Sequence, residues 1–179
     1  MLKKLLLGLF AVIVAVVGAN YLFFSADFEY RIEREMSAES TAILAAFKDL
    51  RTWEDWSPWS KKNHPDDGVT FEYSGEPGAG MTWNWAGGKR LGDGVLTLTA
   101  SDAQRASYEL RMVKPMRMDM QGGIELTPAG PKTKVTWWSK GTQDFPGIGR
   151  IMNAAFAGQV KQDYAKALEG LAAFTAEKR

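Results

Sequence analysis

No cysteine occurs in the 179 residues, which excludes disulfides, thiolate nucleophiles and thiolate metal sites and leaves packing alone to hold the fold in either redox compartment. Histidine is almost as scarce, with one copy, His64, in the loop 63–67. Hydrolytic triads and most zinc sites draw on imidazole, so a chain with one solvated loop histidine lacks their usual base and ligand. Asp66 and Asp67 stand next to each other beside His64, a spacing that seldom lets two carboxylates converge on one ion, and no metal is expected. Phosphate loops are missing too: Gly78 and Gly80, and the separate pair Gly92 and Gly94, have neither the lysine nor the following helix that such loops need, and are read as turns. Neither charge sign is in excess. The formal net charge is +1, and setting aside Lys3 and Lys4 leaves 20 basic against 21 acidic side chains, which offers no surface for nucleic acid. No cofactor is expected.

What the chain does have is a long apolar run. Residues 5–24 carry no charge and a single strongly polar side chain, Asn20. About 20 residues rising roughly 1.5 Å each match the roughly 30 Å hydrocarbon core of a bilayer. Two readings stay open: an uncleaved transmembrane anchor, or a signal segment cut after the small residues Val17, Gly18 and Ala19. The aromatic continuation Tyr21, Leu22, Phe23, Phe24 favours the anchor, as an interfacial belt. Lys3 and Lys4 before the span keep the N-terminus cytoplasmic, so the expected location is the bacterial inner membrane, single-pass, with the domain in the periplasm. Residues 1–27 then form the anchor and a short linker, and 28–179 the domain, held close to the membrane surface.

Beyond the linker, Phe28, Glu29, Tyr30, Arg31, Ile32 and Glu33 alternate with period two and predict a first strand. Ser37 or Ser40 can cap a helix carrying Ile43, Leu44, Phe47 and Leu50, followed by a helical turn through Trp53 and Trp56. From 69 to 140 the pattern is a meander of strands at 69–73, 81–85, 94–101, 105–113, 118–126 and 133–139, with glycines at 87, 88, 92 and 94 supplying a tight turn and a bent strand start. Alternation puts Phe71, Trp83, Trp85, Leu96, Tyr108, Met112, Met118 and Met120 on an apolar face and Glu109, Asp119, Gln121 and Glu125 on the other. One long helix closes the chain, its stripe running through Ile148, Ile151, Met152, Ala155, Phe156, Val160, Tyr164, Leu168, Leu171 and Phe174. A curled antiparallel sheet is the concave partner such a helix needs.

Strand, two short helices, six strands and a long helix is an element order that resembles the START-like, or SRPBCC, superfamily. The segments Trp53–Trp59 (WEDWSPW), Gly78–Trp83 (GAGMTW) and Lys132–Trp137 (KTKVTW) resemble its bacterial polyketide cyclase/dehydrase and lipid-transport type, over residues 28 to the C-terminus. The resemblance implies an α+β helix-grip fold, a curved seven-stranded antiparallel sheet wrapped around the C-terminal helix, with an internal cavity for apolar ligands. It implies no particular reaction, because the superfamily holds carriers, cyclases, hydrolases and oxygenase domains. Its oxygenase members carry an iron site built with histidines, which one histidine does not supply.

The expected cavity wall is Trp83, Trp85, Tyr108, Met112, Met116, Met118, Met120, Trp137, Met152 and Phe156, with Tyr73, Asn84, Tyr108 and Tyr164 as its polar groups. The same side chains would equally serve as packed core. The chain is expected to bind a hydrophobic or lipid-like small molecule without catalysis. Two further readings are a cyclase or aromatase working in that cavity through groups such as Tyr108, Asp119 or Glu109, and a cell-envelope scaffold with a collapsed cavity and an exposed patch of Trp53, Trp56, Trp59 and Trp138.

Overall fold

Alternating side chains let one face of each strand meet a core while the other faces water, and the chain uses this pattern seven times. In the computed structural model, which describes residues 1–115, 117–142 and 148–177, the strands are β1 (Asp27–Met36), β2 (Thr70–Ser74), β3 (Thr82–Ala86), β4 (Asp93–Ser101), β5 (Arg105–Lys114), β6 (Met118–Ala129) and β7 (Lys132–Thr142). They form one antiparallel sheet in the order β1-β7-β6-β5-β4-β3-β2. The first strand thus pairs with the last, from Asp27 opposite Thr142 to Met36 opposite Thr133. It runs beyond Glu33 because that pairing continues, with Glu33–Lys134 and Glu35–Lys132 ion pairs on its outer face.

Between β1 and β2 lie α2 (Ser40–Lys48), a 3₁₀ turn (Leu50–Thr52) and α3 (Trp53–Trp56). Neither predicted serine caps α2. The cap position is Glu39, and the hydroxyl of Ser40, already helical, lies 3.4 Å from that of Thr133. Asp49 caps the 3₁₀ turn instead, accepting from Arg51 N.

The last helix, α4 (Gly149–Glu177), lies against the concave face. Its C-terminal half buries Tyr164, Ala167, Leu168 and Leu171 against the sheet and against α2 and α3. Its N-terminal half departs from the expected stripe: Ile148, Ala155 and Phe156 are exposed and Met152 only half-buried. The reason is its partner. This half leans on β1, where the Tyr30 hydroxyl donates to Asn153 Oδ1, and on the end of α1 (Leu2–Phe23). Asn20, the one strongly polar residue of α1, is fully buried there, and its Oδ1 accepts from Ile151 N at 3.1 Å. A first-turn N–H has no partner within its own helix, so Asn20 satisfies a donor that α4 itself leaves open. Helix α1 is 22 residues long, exposed along most of its length and apolar enough to cross a membrane.

Candidate ligand-binding cavity

Large side chains from six strands and α4 do not meet everywhere, and a cavity of about 270 Å³ remains between them. Trp83, Trp85, Tyr108, Met112, Met118, Met120 and Trp137 line it, as the alternation places them. Met152 and Phe156 do not. They sit on the part of α4 that faces β1, α1 and solvent, away from the cavity, and Phe156 is 53% exposed. Met116 lies outside the described residues. The wall also includes Trp53, Trp59, Phe71, Leu96, Leu110 and Val160, with Arg90, Leu91, Asp163 and Tyr164 completing it.

One end is closed by rings. Trp137 packs against Phe47 at 5.3 Å, Trp53 at 5.4 Å and Tyr164 at 5.1 Å between centroids, and Trp59 meets both Trp137 and Tyr164 near 6 Å. Trp53 and Trp56 are buried in this cluster, so the surface patch a scaffold would present is not formed by them. The Trp137 indole N–H donates to the Tyr108 hydroxyl at 3.1 Å. Two glycines make room for the rings: a Cβ at Gly122 would overlap the Tyr108 ring lying across it, and one at Gly94 would overlap Trp85.

Toward the other end the wall residues Leu91, Met112, Met118 and Met120 are partly exposed and Arg90 is exposed, and this end is taken as the mouth. Its loop 87–92 is clamped by two carboxylates. Buried Asp67 accepts from the backbone N–H groups of Arg90 and Leu91, and Asp93 accepts from Gly87 N at 2.8 Å and from Lys114 Nζ at 2.7 Å. Trp85 Nε1 donates to Leu91 O at 3.1 Å from beneath. Sequence reasoning took Asp67 for a plain loop residue, because a carboxylate that serves backbone donors leaves no side-chain pattern to read. His64 was likewise expected in solvent; instead its Nε2 contacts Pro58 O at 3.1 Å and its Nδ1 is buried.

Desolvation would push the Asp67 carboxyl up, but the backbone donors of Arg90, Leu91 and Lys89 outweigh it and hold it below the usual range; the Lys114 hydrogen bond does the same for Asp93. A carboxylate whose folded value is depressed stabilises the fold above its unfolded value near about 4 and loses that contribution as pH falls through the folded value. Melting curves should therefore shift down between pH 7 and pH 3. An Asp67→Asn variant should melt lower than wild type at pH 7 yet show a smaller acid shift; equal acid shifts in both proteins would exclude Asp67 from the clamp.

Few polar groups face the interior. Burial pushes the hydroxyls of Tyr108 and Tyr164 above the ordinary tyrosine value, so both stay protonated and present hydrogen-bonding hydroxyls. The Trp83 indole N–H is buried with no partner. Tyr73 is outside the wall, donating to Glu54 Oε1 at 3.2 Å, and Asn84 points outward into solvent. Glu109 and Asp119 lie on the outer face, Asp119 paired with Arg111 at 2.6 Å, beside an open depression of about 1150 Å³ that crosses the strand ends. That depression is larger but rimmed by charge and unenclosed, so it excludes little water. Among the described residues no three His, Asp or Glu side chains gather as a metal site.

An apolar cavity gripped between a curled sheet and a C-terminal helix has counterparts. Residues 27–174 match the family described as "Polyketide cyclase / dehydrase and lipid transport". The chain belongs to this family. Its fold is the START-like helix-grip fold. Among solved structures, this polyketide cyclase/dehydrase and lipid transport family member is similar to a Thermus thermophilus protein (TM-score 0.62, 17% identity, 84% of this chain and 99% of that one). It is also similar to a Rhizobium loti protein (0.57, 23%, 82% and 96%) and to a norcoclaurine synthase point mutant of Thalictrum flavum in complex with a transition-state analogue (0.60, 13%, 86% and 97%). At these identities the likeness is one of fold. No curated protein matches the chain.

Proposed function

We propose that the domain 28–179 is a non-catalytic binding module that takes a small hydrophobic or lipid-like molecule into the cavity, held outside the cytoplasm by α1 as a single-pass anchor in the inner membrane. The observation that carries this reading is the wall itself: aromatic and methionine side chains around a partly open space, with the neutral hydroxyls of Tyr108 and Tyr164 and the charges of Arg90 and Asp163 as its polar groups. Its 270 Å³ falls near the lower end of ligand pockets, which span roughly 300–1,000 Å³, and suits a small ligand or one chain of a larger one. The orphaned Trp83 N–H is a donor that a ligand oxygen would satisfy. Family membership supports the ligand class. Against a cyclase, the carboxylates considered for acid–base work face away from the cavity.

Native mass spectrometry of the full chain released from detergent micelles tests the reading. A reproducible apolar adduct is expected, and a Met120→Trp variant that fills the space opposite Leu110 should lose it while keeping its circular dichroism spectrum. An adduct retained by folded Met120→Trp, or bare wild-type protein that also ignores added fatty acids and phospholipids, would refute the binding module.

A further inference from the structure

The register across the sheet places the cavity mouth at the same end of the domain as α1. Asp27, the first residue of β1, lies opposite Thr142, which lies opposite Asp119, which lies opposite Arg111. The next pairs along this edge are Met112 with Met118 and Gly94 with Met112, and Gly94 is opposite Trp85. Of this series Trp85, Met112 and Met118 line the cavity. Only residues 24–26 separate the end of α1 from β1, and three residues reach at most about 10 Å. The joint is also fastened: besides the Asn20–Ile151 hydrogen bond, the Arg150 guanidinium stacks on the Tyr21 ring at 4.8 Å. The first turn of α4 is thus tied to the last turn of α1, and the domain has little freedom to swing its mouth away.

Outside α1 and the adjoining Phe24, the large hydrophobic side chains exposed among the described residues are three: Val113 at 47%, Ile148 at 44% and Phe156 at 53%. All belong to this end. Val113 is the penultimate residue of β5, next to Met112 and on the opposite face, Ile148 directly precedes α4, and Phe156 stands one turn before Val160 of the cavity wall. The distal turns at 102–104 and 129–132 expose no such residue. Charge near this end is mixed: Asp93 pairs with Lys114 and Asp119 with Arg111, Arg90 and Asp163 line the cavity, and Asp27, Glu29, Glu109 and Arg117 line the adjoining depression.

We infer that this end of the domain lies on the lipid bilayer, with Val113, Ile148 and Phe156 in the interfacial layer, so that the cavity opens onto the membrane and exchanges its ligand with lipid rather than with bulk water. Apolar side chains exposed beside a membrane-crossing helix are what the interfacial layer of a bilayer accommodates. The inference rests on α1 being a membrane anchor.

The absence of cysteine makes single-cysteine labelling direct. Full-length chains carrying Val12→Cys, Val113→Cys, Phe156→Cys or Ala103→Cys are labelled with an environment-sensitive NBD fluorophore and reconstituted into phosphatidylcholine/phosphatidylglycerol vesicles with or without doxyl-labelled lipid. Position 12 reports the anchor and position 103, in the distal β4–β5 turn, the aqueous baseline. Probes at 113 and 156 should be blue-shifted and lose emission to doxyl lipid, whereas the probe at 103 should not. Emission at 113 and 156 matching that at 103, while the probe at 12 is quenched, would overturn the docked orientation and leave the anchor standing. A probe at 12 that is also unquenched would overturn both. Blue shifts at 113 and 156 that ignore doxyl lipid but grow with protein density would show that a second copy covers this end, which also overturns the inference.

Discussion

Replacing Gly170 by alanine is expected to lower the melting temperature of this protein, although alanine is the better helix former by about 1 kcal/mol. Gly170 lies where α4 crosses α3, and a Cβ there would overlap the carbonyl oxygen of Trp56, a backbone atom with no flexible end to move aside. Overpacking of this kind costs about 1–3 kcal/mol, and each kcal/mol shifts the midpoint of a domain this size by about 2–4 °C. The control is in the same helix. Gly158 has nothing within 4 Å of its added Cβ, so Gly158→Ala should gain the helix propensity and melt higher. Thermal unfolding of the two variants side by side decides the matter: a rise in both would mean that α3 and α4 do not approach as closely as the packing of Trp56 and Gly170 requires. The stake is functional, because α3 brings Trp53 and α4 brings Tyr164 to the closed end of the cavity.

Period-two alternation marked all seven strands and the faces of Trp83, Trp85, Tyr108, Met112, Met118 and Met120, since a strand with one buried face has no other way to be written. Helical spacing was a weaker guide. Met152 and Phe156 recur on α4, and Ile148 just before it, at the same intervals as Tyr164, Leu168 and Leu171, but spacing tells which side chains share a face and not how far the surface opposite extends. The C-terminal half is buried in the core cluster with α2 and α3, whereas the N-terminal half leans on β1 and the end of α1. Tertiary partners of polar groups were invisible for a related reason. Asn20 inside an apolar run looked like an exception to a span, whereas its oxygen serves the first turn of a helix 131 positions away. Asp67, the buried clamp of the mouth loop, resembled any turn aspartate.

The two ends of the cavity are built from different materials. Tryptophan and phenylalanine fill the closed end in tilted and edge-on contacts, a rigid floor with defined geometry. Methionine forms much of the mouth, with Met112 opposite Met118 and Met120 opposite Leu110 across β5 and β6. Unbranched thioether chains repack around varied shapes at little cost. On the proposed binding function, a fixed floor with an adaptable mouth would select for the size of the part inserted and tolerate differences in what remains outside.

That floor depends most on Trp137, and Trp137→Ala should be the most damaging substitution in the domain. Its ring contacts Phe47, Trp53, Trp56, Trp59 and Tyr164 while 1% exposed, and truncating a buried ring of this size costs about 3–5 kcal/mol. At about 2–4 °C per kcal/mol the midpoint should fall by roughly 6–20 °C. Part of the loss is polar, because the buried Tyr108 hydroxyl would lose its indole donor. A double-mutant cycle separates that part from packing. Tyr108→Phe leaves the Trp137 N–H without its acceptor and Trp137→Phe leaves the Tyr108 hydroxyl without its donor, each costing about 1–3 kcal/mol beyond any packing change. The pair together strands neither group, so the double variant should be less destabilised than the sum of the singles. Strict additivity in denaturant unfolding would mean that the hydrogen bond contributes nothing to the floor and that ring packing alone holds it.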